Sequence, residues 1–268
     1  MTDGRVDLGQ VYDAVAETYD ADSFGIIRGS HELFLAQLAS RGLSDSTREL
    51  SILDLGVGTG DALVALARRY PRSRKIGIDL SARMLERAQA KVAFEAHVDD
   101  ACNAGAHVEA GSIDLVLAHF LTTFVDRSRL FAAASKALAP GGLFSVISSP
   151  DSAFPRVRGY VAQLLGEGTV RDANPAPTIE ELEEELRVAG FEICQMDRLD
   201  LRIRFESFEH LMDWAAKGGF FTHFIEAVGP EKLAQLGAFA AQAGLFPLED
   251  DYVAAVFLAI PARPAALR

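Results

Sequence analysis

The sequence predicts an α/β fold: an open, doubly wound sheet of seven strands, with helices on both faces and a helical cap. Three observations carry that expectation. An apolar run at 51–55 ends in glycines at 56, 58 and 60, and a helical pattern starts at once. This is a buried strand, a tight turn and a helix N-terminus. Residues 75–79, Lys-Ile-Gly-Ile-Asp, form a second apolar run that closes on an acid. Further short apolar runs alternate with helical stretches up to residue 260, the order expected of strands joined by crossover helices.

A chain of 268 residues with 49% hydrophobic content suits one large α/β domain with an attached cap, and can fill its core. The net charge of -12 argues against a nucleic-acid partner, since phosphate binding needs a basic face. Cys102 and Cys194 make no disulfide framework and fit a reducing compartment. Residues 1–5 lack a basic-then-apolar leader, and no apolar run is long enough to span a bilayer. A soluble, cytoplasmic protein with no membrane partner is the expectation. The six histidines are scattered without ligand spacing, so no metal site is expected.

From the N-terminus, residues 11–20 read as a helix with Tyr12, Val15, Ala16 and Tyr19 on one stripe. A second helix spans 32–41 and stops at Gly42. Strand one and its glycine turn lead into a helix that buries Leu63, Leu66 and Ala67 and stops before Pro71. Asp79, at the end of strand two, lies about 20 residues past the turn, the spacing at which a carboxylate meets a ribose in such folds. It also stands where an acid could simply cap the helix that begins near Ser81.

Residues 94–98 and 111–118 are strands three and four. His119, Phe120, Leu121, Thr122 and Thr123 follow strand four at its C-terminal end, where open α/β sheets keep reactive groups. A helix at 129–138 ends in Ala139-Pro140-Gly141-Gly142, whose glycines are expected to reverse the chain into strand five at 143–148. Residues 150–177 read as a loop over the site with a short helix at 157–165. Thr178-Ile179-Glu180-Glu181 is a capping box for the next helix. Strand six starts at Phe191 and extends up to Phe205, and residues 252–260 are the closing strand.

Between those two strands the chain inserts helices at 206–217 and 230–243. Gly218-Gly219 breaks the first and reads as a hinge, beside the aromatic patch 220–224. The domain organisation expected is therefore 1–50 as N-terminal helices covering the site, 51–205 with 251–262 as the sheet domain, and 206–250 as a helical lid.

Residues 53–60, L-D-x-G-x-G-x-G, resemble motif I of the class I S-adenosylmethionine (SAM) methyltransferases, whose fold is Rossmann-like. The turn is not the dinucleotide fingerprint, because Asp61 stands where G-x-G-x-x-G needs its third glycine. An acid there also repels a pyrophosphate. The resemblance extends over about residues 12–200: Y-D-x-x-A-x-x-Y-D at 12–20, I-D-L-S-x-x-M-L at 78–85, I-D-L-V at 113–116 and L-x-P-G-G at 138–142.

That resemblance implies SAM as cofactor, with S-adenosyl-L-homocysteine as its product. It implies that the helix bearing Tyr12 and Tyr19 lies over the cofactor, and that Asp54, Gly56 and Gly58 border it. Leu80 and Met84 would flank the adenine. Asp100 and Ala101 match the family's G-D-A, but Asp99 replaces its glycine, which leaves open which acid meets the adenine. At His119 two readings stand: the family's use of the main-chain carbonyl to hold the cofactor's amino group, or a side chain that orients or deprotonates the acceptor.

The function expected is transfer of a methyl group from SAM to a small, apolar or aromatic acceptor in secondary or specialised metabolism. His119 is the first base candidate and His223 the second; Tyr12, Phe120, Phe220, Phe221 and Phe224 are the candidate acceptor contacts. The same aromatic residues would otherwise serve as packing, within the domain or in a homodimer. An RNA or protein methyltransferase on the same fold and a non-catalytic SAM-binding protein are the alternatives. Residues 118–121 show no N-P-P-Y-like stretch of the kind that holds a flipped base. An NAD(P) oxidoreductase is opposed by Asp61.

Overall fold

The computed structural model describes residues 7–43, 45–168, 175–219 and 221–262, with Thr222, His223 and Ala227 described by their backbone alone. Seven strands, β1 (Ser51–Leu55), β2 (Arg74–Asp79), β3 (Glu95–Val98), β4 (Ile113–His119), β5 (Leu138–Ser148), β6 (Phe191–Phe205) and β7 (Leu248–Pro261), form one sheet in the order β3-β2-β1-β4-β5-β7-β6. Neighbours among β1 to β5 are parallel, and β7 is antiparallel to both β5 and β6. The strand order reverses between β1 and β4, so their connections leave on opposite faces and a crevice opens at their C-terminal ends.

The helices are α1 (Leu8–Val15), α2 (Ile26–Ser40), α3 (Asp61–Arg69), α4 (Ala82–Lys91) and α5 (Arg127–Ala137), then α6 (Pro155–Leu165) and α7 (Ile179–Val188). Between β6 and β7 lie α8 (Phe208–Gly218), α9 (Thr222–Val228) and α10 (Pro230–Gln242). Side chains alternate across a strand, and that alternation divides the core in two. Ile52, Leu115 and Leu117 face Phe34, Leu63 and Leu66 on one side of the sheet. Leu53, Leu55 and Val116 face Leu130, Phe131 and Leu182 on the other.

Several boundaries differ from the sequence expectation. The first helix ends at Val15 rather than 20, and the chain then turns, with Tyr19 N donating to Val15 O at 3.0 Å. Long-range ion pairs hold this segment on α4: Arg87 with Glu17 at 2.6 Å and Lys91 with Asp20 at 2.8 Å. The second helix begins at Ile26 rather than 32, because Gly25 takes a left-handed φ of 73° and buried Ile26 and Ile27 join the core. Gly141-Gly142 do not start a new strand after a reversal. They lie inside β5, where the register against β4 shifts between Ile113 and Leu115, so the glycines absorb an irregularity.

The C-terminal strands are longer than a sheet alone requires. β5 pairs with β7 only over Ala255 to Ala259, whereas β6 pairs with β7 from Pro261 back to Leu248. Residues 248–254 of β7 and their partners in β6 therefore form a two-stranded arm beyond the C-terminal edge of the parallel strands. That arm carries α8 to α10, whose junction at Gly219 comes up against the Tyr12 and Tyr19 rings.

Candidate functional site

The glycine turn after β1 is held by backbone. Gly56 N and Val57 N donate to Ile78 O at 2.8 and 3.1 Å, and Gly60 N donates to Val57 O at 2.9 Å. All three glycines have positive φ, 73°, 53° and 84°, a region that L side chains enter at a cost. Their surroundings differ. A Cβ on Gly60 would lie 2.8 Å from Ala88 Cβ of α4, so that glycine serves helix packing. A Cβ on Gly58 would meet only the Tyr19 ring, at 3.8 Å, across open crevice.

Three acids ring that crevice. Asp79 is fixed by its own chain: Oδ2 accepts from Gly58 N at 2.8 Å and Oδ1 from Ser81 N at 2.9 Å. A carboxylate accepts about four hydrogen bonds, so both oxygens keep capacity toward the crevice. Burial pushes its pKa up, against the lowering effect of those amides. The helix cap at this point is Ser81, which accepts from Met84 N at 3.0 Å. Asp54, at the end of β1, is buried with Oδ1 unpartnered, and burial with the nearby Asp79 charge pushes its pKa up to about 8.

The third acid is decided by geometry. Asp99 accepts from Asp100 N, Asn103 Nδ2 and the His107 ring at 2.7, 2.9 and 2.8 Å, which uses its carboxylate within its own loop. Asp100 lines the crevice, beside Ala101, Leu80 and Met84.

Tyr12 and Tyr19 roof the space, with ring centroids 6.2 Å apart and edge-on; Tyr12 also packs edge-on against Phe124 at 6.0 Å. A Cβ on Gly219 would lie 2.8 Å from the Tyr19 ring and 3.2 Å from the Tyr12 ring. Gly219, at φ 69°, is therefore a point of close approach between the inserted helices and the roof, not only a break in α8.

His119 is buried at the C-terminal end of β4, with its Nε2 2.9 Å from Ser145 Oγ and its Nδ1 without a partner. Phe34 packs edge-on against the ring at 4.9 Å, and the His31 ring lies 5.3 Å away. Burial, then the neighbouring His31, lowers its pKa well below the usual histidine value, and burial pulls His31 down to about 4. His119 is thus neutral near pH 7. It lines the crevice around the glycine turn, not the second cavity described next.

That second cavity lies beyond the same roof. Tyr12, Tyr19, Phe120 and Phe124 line both spaces, and the far walls are Phe154, Phe221, Ser149, Arg158 and Tyr252. Phe120 and Phe154 both hold φ at 57°, left-handed values that are uncommon outside glycine and collect at functional sites. Among the described lining residues there is no aspartate, glutamate, lysine or histidine. Burial raises the Tyr12, Tyr19 and Tyr252 hydroxyl pKa values.

Of the expected acceptor contacts, Tyr12, Phe120 and Phe221 border this cavity. Phe224 does not; it lines a separate apolar space between the inserted helices. Phe220 and the His223 side chain lie outside the described residues. His31, Phe154, Arg158 and Tyr252 were not among the sequence candidates. Their positions in chain carry no motif, and only the folded approach of α2, α6 and β7 brings them to the site.

The crevice fits a ligand with a cationic amino group and a ribose. Two buried polar atoms, Asp54 Oδ1 and His119 Nδ1, have no partner among the described residues, and the Asp79 carboxylate is oriented with capacity to spare. Among the described residues no three His, Cys, Asp or Glu side chains converge as a metal site, and no helix is long and apolar enough to cross a membrane.

Residues 52–142 match a family model described as a methyltransferase domain. A demethylmenaquinone methyltransferase of Lactococcus lactis subsp. lactis is 28% identical over 205 residues, 68% of this chain and 81% of that protein. A trans-aconitate 2-methyltransferase of Afipia carboxidovorans is 28% identical over 138 residues, 48% of this chain and 53% of that protein, so the match spans about half of that relative. Among solved structures, phosphoethanolamine N-methyltransferase 2 of Haemonchus contortus, in complex with SAM, superposes with a TM-score of 0.58 at 20% identity, covering 97% of this chain and 61% of that one. At that identity the likeness is one of fold.

Proposed function

We propose that this chain, which belongs to the class I SAM-dependent methyltransferases and takes SAM as its cofactor, methylates a small apolar acceptor held in the cavity behind Tyr12, Tyr19 and Phe120. One observation carries the reading: the crevice at the glycine turn and the aromatic cavity share a wall of four aromatic residues. A methyl donor in the first and an acceptor in the second would then meet where these four side chains border both spaces.

SAM supplies an electrophilic methyl on a sulfonium. The chain's work is to bind, orient and exclude water. Asp79 would accept from the ribose hydroxyls, Asp100, Ala101, Leu80 and Met84 would hold the adenine, and Asp54 would meet the amino group. Tyr12, Tyr19, Phe120 and Phe124 present ring faces that tolerate a cation and keep the reacting atoms dry. The acceptor lone pair forms the new bond to carbon as the carbon–sulfur bond breaks, with its electrons left on sulfur. Rate comes mainly from holding donor and acceptor in line.

No described side chain of the acceptor cavity titrates near neutrality as a base. We therefore assign the nucleophile to an acceptor group that is already competent, such as a carboxylate, a neutral amine or a stabilised carbanion. His119 belongs to the cofactor side, as a neutral hydrogen-bonding group. The relatives named for menaquinone and trans-aconitate chemistry support a small-molecule acceptor, and the net charge of -12 disfavours nucleic acid.

Calorimetric titration with SAM, its homocysteine product and NADH tests the cofactor, and transfer of labelled methyl from SAM into a metabolite extract tests the reaction. Binding of SAM but not NADH, with label in a small apolar product, is the expected result. Label found only in protein or nucleic acid, or SAM binding with no transfer to any fraction, would overturn it.

A further inference from the structure

The inserted helices enclose a second apolar space that the methyl-transfer reading does not use. It lies between α6, α8, α9 and α10, and its walls include Val157, Leu211, Leu233, Leu236, Phe239 and Phe246. Protein interiors pack densely and keep few voids larger than a water molecule, because unfilled apolar space forfeits dispersion contacts. A lined apolar chamber that remains open beside a ligand cavity therefore points to an occupant.

The chamber and the acceptor cavity adjoin. Arg158 and Phe221 line both. Phe221 separates them with a side chain, packed at 5.6 Å from Phe154 and 6.4 Å from Phe224, and a ring can turn aside where backbone cannot. Arg158 sets the chemistry of the junction. Its Nε donates to Ala153 O at 2.8 Å, and among the described residues no carboxylate lies within 4.0 Å of it. The guanidinium is half-buried among apolar side chains; burial lowers its pKa, and the charge of Asp151, which lies beyond contact distance, offsets only part of that, so among the described residues it has no carboxylate in contact. Charges in such surroundings are ordinarily paired. An anion in contact would complete the pairing, and a planar guanidinium fork matches the geometry of a carboxylate.

We propose that the acceptor is an amphipathic molecule whose hydrocarbon tail fills this chamber and whose carboxylate meets Arg158 at the chamber's mouth. The assignment rests on the acceptor cavity proposed above and gives it a substrate class. The position of α8 to α10 then has a purpose: the arm of β6 and β7 holds a tail-binding box against the reaction space.

The test is displacement of the fluorescent long-chain carboxylate cis-parinarate from the whole protein with the homocysteine product bound. Competitors are straight-chain carboxylates from hexanoate to hexadecanoate, with dodecanol as the uncharged match to dodecanoate. Affinity is expected to rise with length by up to about fourfold per methylene, the hydrophobic increment, and to level off when the chamber is full. Leu233→Trp fills the chamber and is expected to weaken the long chains at least about tenfold while sparing hexanoate. Arg158→Gln is expected to weaken dodecanoate at least about tenfold and leave dodecanol unchanged.

Length-independent affinity, equal binding of dodecanol and dodecanoate, or indifference of both variants would overturn the proposal. The wild-type length series decides even if a variant fails to fold. SAM affinity is measured in parallel: its loss in the wild type would count against the methyl-transfer reading, while the carboxylate series stands or falls by itself.

Discussion

Asp79 Oδ2 accepts the Gly58 amide at 2.8 Å, so the acid that ends β2 holds the turn that follows β1. The same carboxylate is thus both a ligand contact and part of the turn. Asp79→Ala is expected to weaken SAM by about 2–4 kcal/mol and also to remove the acceptor of the half-buried Gly58 amide, at a further cost of about 1 kcal/mol in stability. Calorimetry and thermal melting of the same preparation check both. A variant with normal melting and normal SAM affinity would refute the dual role.

The neighbouring glycines separate ligand binding from packing. Gly60→Ala places a Cβ 2.8 Å from Ala88 Cβ at φ 84° and is expected to lower the melting temperature strongly. Gly58→Ala carries only the left-handed backbone cost of about 1–2 kcal/mol, yet is expected to lose SAM at least tenfold because its Cβ points into the crevice. The reverse ranking of the two effects would mean that Gly58 is structural.

Asp54 gives a proton signature. Its pKa is about 8 in the folded chain, pushed up by burial and by Asp79, and near 4 when unfolded. Between those values the unfolded state holds fewer protons, so this group makes stability fall as pH rises from about 4 to about 8. Asp54→Asn is expected to remove that slope and to melt higher than the wild type toward pH 8. An ammonium beside Asp54 favours the carboxylate, so SAM binding at pH 7 should release a proton. Titrations in buffers of different ionisation enthalpy read this directly; no proton release would sink the contact.

The histidine pair titrates in the opposite sense. Burial holds His31 at about 4 and His119 well below its usual value, so the unfolded state binds more protons than the folded state between about 4 and 6.5. Their contribution to stability is present above that window and is lost as pH falls through it. His31→Leu is expected to flatten the acid loss. The kcat profile should show no acidic limb from His119, and His119→Ala should raise the SAM Kd while leaving kcat at saturating SAM within about tenfold. An acidic limb near pH 6.5 that vanishes in the variant would restore a base role for His119.

Gly219 couples the inserted helices to the roof. Gly219→Ala places its Cβ 2.8 Å from the Tyr19 ring and is expected to displace that ring and raise both the acceptor KM and the SAM Kd. If the effect acts through Tyr19, the double variant with Tyr19→Ala is non-additive, with most of the Gly219 effect gone. Simple additivity of the two would show that the contact carries nothing.

Local chemistry made much of this protein legible from its residues in order. The strand, glycine turn and helix at 51–69 follow from an apolar run, positive φ and a free helix N-terminus, all within a few residues. The Thr178 cap with Glu181 forms as its four-residue pattern predicts. The end of β2 put Asp79 beside the turn because parallel pairing of β1 and β2 leaves no other place for it.

What only the tertiary structure decided is set by contacts between residues far apart in the chain. Asp99 and Asp100 are adjacent and chemically alike, and His107, eight residues on, engages the first and leaves the second at the crevice. Gly219 reads as a break in a helix until Tyr19, two hundred positions earlier, is packed on it. Phe221 and Phe224 share one aromatic patch in the sequence and both line the chamber between the inserted helices, but only Phe221, at the N-cap of α9, also reaches the acceptor cavity. Arg158 shows no motif at all. Its meaning comes from burial with no carboxylate in contact among the described residues, and burial is a property of the whole fold rather than of any stretch of the chain.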